Sequence, residues 1–305
     1  MESEAAGPEL SRRQFHLGLL LVALVGAVLM ASHAGDEIWY DEAYALDFFA
    51  TGDWRTAFRD QHAPNHVLFH AALSLWQTAL GRGECRVAEL RALPGLLSLA
   101  ALPVLALTVA RLAGATAGLL AAFLLATSHA ALGFALQLRG YAPSWLPITI
   151  AWYGLAVWTE SGSRRGAIAY ALGGSVAVGI LPTNLIPCAV IGAWAAGLRL
   201  PDLLAKEGRR RQALAVAALL CAPLLGLGCY LGDAAGFSRL ALHYHTGLRL
   251  GEILGDAVGS ALRDFLWLLP LASLGLGLLG SAARRDVSRA PQSPRGRLAW
   301  VAACA

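Results

Sequence analysis

Lysine is nearly missing from this sequence: Lys206 is the only one, and arginine carries the rest of the basic charge. Charged residues of both signs together reach only 14% of the chain. The arginines sit in short loops between apolar runs, so the formal net charge of +4 builds no basic surface for nucleic acid. Cysteine is scarce as well. Cys85, Cys188, Cys221, Cys229 and Cys304 are odd in number and form no Cys-x-x-Cys pair, which argues against a disulfide framework or a cysteine-built zinc site. Most lie in apolar stretches, where a free thiol behaves as a small hydrophobe. Internal repeats, soluble domains and low-complexity tracts are absent, and the nearest thing to a linker is SRAPQSPRGR, 288–297.

Apolar residues fill the space that charge leaves. They make up 57% of the 305 residues, with a mean hydropathy of +0.55. About 20 apolar residues cross the roughly 30 Å of a bilayer's hydrocarbon. The runs at 15–33, 92–110, 117–136, 141–159, 167–182, 185–200, 212–231 and 261–280 are therefore read as transmembrane helices. A ninth run begins at Leu298 and is cut by the chain end, which leads us to expect a truncated product or fragment. The first run has no cleavable-signal pattern and is expected to stay as an anchor.

Residues 66–80 are ambiguous, since 15 residues at 1.5 Å each reach only about 22 Å. Basic residues collect in cytoplasmic loops. Arg12 and Arg13 then put residues 1–14 in the cytoplasm. If 66–80 does not cross, the basic loops at Arg164–Arg165, around Arg209–Arg211 and around Arg284–Arg297 also fall inside. If it crosses, all three fall outside. The first choice makes 34–91 one large external loop containing helices that lie at the interface. It also makes 92–280 the transmembrane bundle and 281–305 a cytoplasmic loop leading into a further helix. The turns QLRGYA, 137–142, and PTN, 182–184, join the external loop on the same face, as does the longer loop 232–260.

Three polar constellations stand out on that face. Asp36, Glu37, Asp41 and Glu42 crowd together just after the first span. In a helix over 41–50, Asp41 would share a face with Ala45 and Phe48, and Glu42 with Leu46 and Phe49. Carboxylates against an apolar stripe suit a general base, whereas an external loop also carries solvated acids without function. In HAPNHVLFH, 62–70, Pro64 and Asn65 read as a helix start, followed by a polar stripe of His66, His70, Ser74 and Gln77. Such a stripe faces protein or a wet cavity. His62, His66 and His70 invite a zinc reading, but Pro64 interrupts them and no further ligand completes a site. In QLRGYAPS, Arg139 is either an interfacial anchor with Tyr141 or a phosphate clamp. HYH, 243–245, is a weaker candidate, with Arg239 and Arg249 near it in sequence.

The order WYDEAYAL, APNHVLFH, ELRALPGLLSLAALPVLAL, LQLRGYA, LPTNL resembles bacterial protein mannosyltransferase-like glycosyltransferases. These belong to the GT-C superfamily, which includes the lipid A aminoarabinose transferases. The resemblance covers roughly residues 15–200. It implies an all-α, polytopic integral membrane enzyme that moves a sugar from a polyprenyl-phosphate donor with inversion. Asp41 would be the general base and Glu42 its catalytic partner. Arg139 and Tyr141 would hold the donor phosphate, and Asn65, His66, His70, Thr183 and Asn184 would line the substrate cavity. Asp36 and Glu37 would be solvated flank.

The resemblance has two departures. Many relatives carry an acid where this chain has Gln137, and many are longer. The scheme needs no cofactor and no metal, although a divalent ion beside an acidic pair stays open. The expected setting is the inner (plasma) membrane with the site on the external or periplasmic face. The acceptor (protein, lipid or glycan) is open. A lipid-linked sugar flippase and an inactive remnant are the alternatives; the near absence of charge at mid-depth in the spans argues against the first.

Overall fold

Ser11 starts the first helix. Its hydroxyl accepts from the Gln14 N–H at 3.3 Å, and the Gln14 side chain accepts from the Ser11 N–H at 2.8 Å, which satisfies two otherwise orphaned donors. Helix α1 then runs Arg12–His33. The computed structural model describes residues 10–50, 52–59, 66–81, 86–204 and 209–233, all within the unit Leu10–Phe237. Asn65, His62, Pro64, the HYH loop, the run 261–280 and the expected ninth helix lie outside the described residues.

Every regular element among the described residues is helical. After α1 come α2 (Tyr40–Ala45), a π-helical turn Leu46–Ala50, α3 (Thr56–Arg59) and α4 (Val67–Ala79). Then follow α5 (Val87–Ala113), α6 (Ala115–Thr127), α7 (His129–Ala135), α8 (Trp145–Ser161) and α9 (Arg164–Ile180). The described part ends with α10 (Leu185–Leu204), α11 (Arg209–Cys221) and a 3₁₀ stretch, Ala222–Asp233.

Length and composition make α1, α5 and the stretch Ala213–Gly232 able to cross a membrane. The bent pair α6–α7 is a fourth if it counts as one span. The expected single span 117–136 is broken at Ser128, whose extended backbone turns the two pieces by 65°. Its hydroxyl caps the new helix by accepting from Ala131 N–H at 3.4 Å. The expected span 141–159 likewise becomes a 3₁₀ turn Ala142–Ser144, holding Pro143, followed by α8.

Helices α1, α5 and α6 share a core of Phe15, Val22, Leu102, Ala106, Ala122 and Ala126. Antiparallel α8 and α9 press backbone to backbone: a Cβ added to Gly154 would lie 2.6 Å from the Gly166 carbonyl oxygen. Tyr170 is buried against this pair and donates to the Cys188 carbonyl of α10 at 3.1 Å. Tyr230 donates to the carbonyls of Gly179 and Ile180, both at 3.2 Å, tying the 3₁₀ stretch to the end of α9.

Candidate functional site

The acidic cluster is organised by a residue outside it. Arg91, one turn into α5, is buried and uses all five of its N–H groups. Its Nε donates to Glu42 Oε1 at 3.4 Å and its Nη2 to Glu42 Oε2 at 3.0 Å. The remaining donors reach the carbonyls of Ala34 at 3.2 Å, Asp36 at 2.6 Å and Glu37 at 3.0 Å. The chain leaving α1 is thus fastened to α5 by one guanidinium. The side chain of Asp36 stays exposed, pairing with His33 at 2.9 Å.

Glu42 is fully buried and equally committed. Besides Arg91, it accepts from Trp39 N–H at 3.1 Å and from Leu138 N–H at 3.0 Å. The second bond reaches 96 residues along the chain and pins the segment that carries Arg139. The expected helix over 41–50 gives way to a π-helical turn after Ala45. Glu42, Ala45, Phe49 and Ala50 are buried, while Phe48 is 49% exposed.

Asp41 points elsewhere. Its Oδ2 meets Arg139 Nη1 at 2.8 Å, with the two side chains 41% and 18% exposed. Arg139 lies over the Tyr141 ring, its Cζ 4.7 Å from the centroid, and donates from Nη2 to the Tyr141 hydroxyl at 3.1 Å. Its Nε is buried without a hydrogen-bond partner. The expected phosphate clamp is therefore already held by the expected base.

His66 closes the other side. Its ring centroid is 5.2 Å from Tyr141, and neither ring nitrogen reaches a hydrogen-bond partner. Burial first, and Arg139 second, lower its pKa to about 3. The nearby Ile180 backbone opposes this slightly without completing a hydrogen bond. His66 is thus neutral at ordinary pH. Gly140 makes this approach possible, because an added Cβ would sit 2.8 Å from the His66 Cβ and 2.8 Å from Ile180 Cγ2.

The polar stripe on α4 faces protein. His70 is fully buried, stacks on Phe49 at 4.3 Å, and its Nδ1 accepts from the His66 N–H at 3.2 Å. Desolvation, with His66 next in effect, holds its pKa well below the usual range. Ser74 donates to the Gly52 carbonyl at 2.7 Å. His66 occupies the N-cap position of α4, and the His70 Nδ1 accepts from its backbone N–H.

The turn Pro182–Asn184 borders the site without entering it. Ile180 packs with Leu138 and Phe69 beside the histidines. Asn184, however, donates to the Ala177 carbonyl at 2.9 Å, and the Thr183 side chain is exposed. Among the described residues no three His, Cys, Asp or Glu side chains gather as a metal-ligand group.

Asp41, His66, His70, Arg139 and Tyr141 come together; Thr183 and Asn184 stay at the margin. Arg91 escaped the sequence reading. Its signal was an arginine at the head of an apolar run, a position that favours a carboxylate partner once buried. These features define a protein that is all-helical over the described residues, several of whose helices are fit to cross a membrane, with a polar site built by α2, α4, the start of α5 and the segment after α7. Comparisons with protein-family models, curated proteins and solved structures each return no match to the chain.

Proposed function

We propose that this chain is an integral-membrane inverting glycosyltransferase that takes a sugar from a polyprenyl-phosphate donor at the external face of the plasma membrane. One observation carries the reading: a half-exposed carboxylate, Asp41, and an aromatic-backed guanidinium, Arg139, meet at 2.8 Å from segments almost a hundred residues apart. General-base transfer to a phosphate-activated sugar needs this combination.

Asp41 takes the proton from the acceptor's nucleophilic O–H or N–H. The nucleophile bonds to the anomeric carbon from the side opposite the leaving group, which inverts that centre. The anomeric C–O bond breaks with its electron pair going to the lipid phosphate, and Arg139 neutralises the charge that develops there. Glu42 holds no proton in this scheme. With its oxygens engaged by Arg91, Trp39 and Leu138, it positions Asp41 and Arg139 relative to each other.

The test is sugar transfer by the purified chain from a panel of synthetic polyprenyl-phosphate sugars to protein, lipid and glycan acceptors. Asp41→Asn should lower turnover at least about 100-fold, the usual scale of general-base loss, while inserting like the wild type. Full activity in that variant sinks the assignment of the base. No transfer by the wild type from any donor sinks the proposal.

A further inference from the structure

Asp41 and Arg139 cannot both do their work while bound to each other. A base must present a free carboxylate to the acceptor, and a phosphate clamp must present a free guanidinium to the donor. The contact at 2.8 Å withdraws both. The two partners are held unequally. Arg139 is kept in place by Tyr141, stacked beneath it and bonded at 3.1 Å. Asp41 lies in the first turn of the short helix α2, with 41% of its side chain open.

One donor of Arg139 is also left without an acceptor. Its Nε–H and both ring nitrogens of His66 are buried with no hydrogen-bond partner, and buried donors are rarely left so. Neutral His66 offers one N–H, and the guanidinium offers its Nε–H and the edge now given to Asp41. A single oxyanion with several acceptor oxygens can take all of these together, as one carboxylate reaching in from the side does not.

We propose that Asp41 is a displaceable occupant of the anion site: the donor's phosphate takes Arg139 and His66 and thereby releases Asp41 to act as base. The exchange rests on the glycosyltransferase reading for its donor, and it sets a binding order, donor first and acceptor second. It also keeps the base neutralised while the site is empty.

The decisive measurement is binding, not turnover. The full chain in lipid nanodiscs is titrated with a short-chain polyprenyl phosphate and, separately, with inorganic phosphate, which separates a lipid headgroup site from a free-anion site. Asp41→Asn should bind polyprenyl phosphate about two- to fivefold more tightly than the wild type, the span a half-exposed ion pair can hold back. Asp41→Ala should act in the same direction. Arg139→Gln should lose the binding, and Asp41→Asn should give no gain in that background.

Unchanged or weaker binding in both Asp41 variants overturns the exchange. Tightening for inorganic phosphate but not for the lipid overturns it as well. No binding of either ligand by any form overturns it together with the glycosyltransferase reading. Tightening in the variants, with no sugar transfer by the wild type, upholds the exchange and sinks the enzyme alone.

Discussion

Asp41 and Glu42 are neighbours in sequence and opposites in surroundings, and the difference makes them separable by substitution. Glu42 and Arg91 form a buried pair at 3.0 Å, and removing one partner leaves an uncompensated charge in the interior. Arg91→Ala should therefore cost about 3–5 kcal/mol, read as a lowered unfolding midpoint in detergent. Asp41→Asn should change that midpoint by less than about 1 kcal/mol, as half-exposed pairs do. Equal losses from the two substitutions would refute the division.

His66 adds a pH signature at the same scale. Its pKa falls from 6.5 to about 3 on folding, so between those values the unfolded chain binds a proton that the folded chain refuses. Stability attributable to His66 is intact above pH 6.5 and declines as the pH falls. By pH 5 the decline is about 2 kcal/mol. Unfolding midpoints at pH 7 and pH 5 should differ less in His66→Gln than in the wild type; an equal difference excludes His66 as the source. The histidines, Asp41 and Arg139 were legible from residue type and position. Arg91 was not singled out, because its burial depends on carbonyls and a carboxylate supplied by a distant segment.

At the scale of elements, hydropathy located most helices to within a few residues and failed where a single residue redirects the chain. Ser128 lies within an apolar run that reads as one span, yet its capped, extended backbone bends that run by 65°. The π-helical turn after α2 shows the same limit: one wider turn changes which side chains share a face, and a fixed 3.6-residue period cannot anticipate it. Close packing of α8 on α9 was equally hidden. Gly154→Ala should destabilise by about 1–3 kcal/mol through overpacking, since its new Cβ would meet the Gly166 carbonyl. Gly133→Ala, which meets nothing within 4 Å, is the control. Gly133→Ala should be neutral or gain stability, because alanine favours a helix over glycine, and an equal loss there would mean that contact with Gly166 does not set the effect.

For the whole molecule, the question is sidedness. In a background without native cysteines, cysteines placed at Tyr40 and Thr183, both exposed, should react with a membrane-impermeant maleimide added to intact cells. A cysteine at Arg165 should react only after permeabilisation. The reverse pattern would overturn the proposed orientation and the external site with it.

Composition and hydropathy by themselves determined that the chain is helical and suited to a membrane. They also put its scarce polar residues in a few connecting segments, because burying charge in hydrocarbon is costly enough to be visible in any single stretch. The tertiary structure decided which of those residues meet. A buried carboxylate needs donors wherever they lie in the chain, and Glu42 found them 49 and 96 residues away. Asp41, one position earlier, was left at the surface facing Arg139. No local pattern records that choice, since it depends on how α1, α5 and the turn after α7 pack against one another.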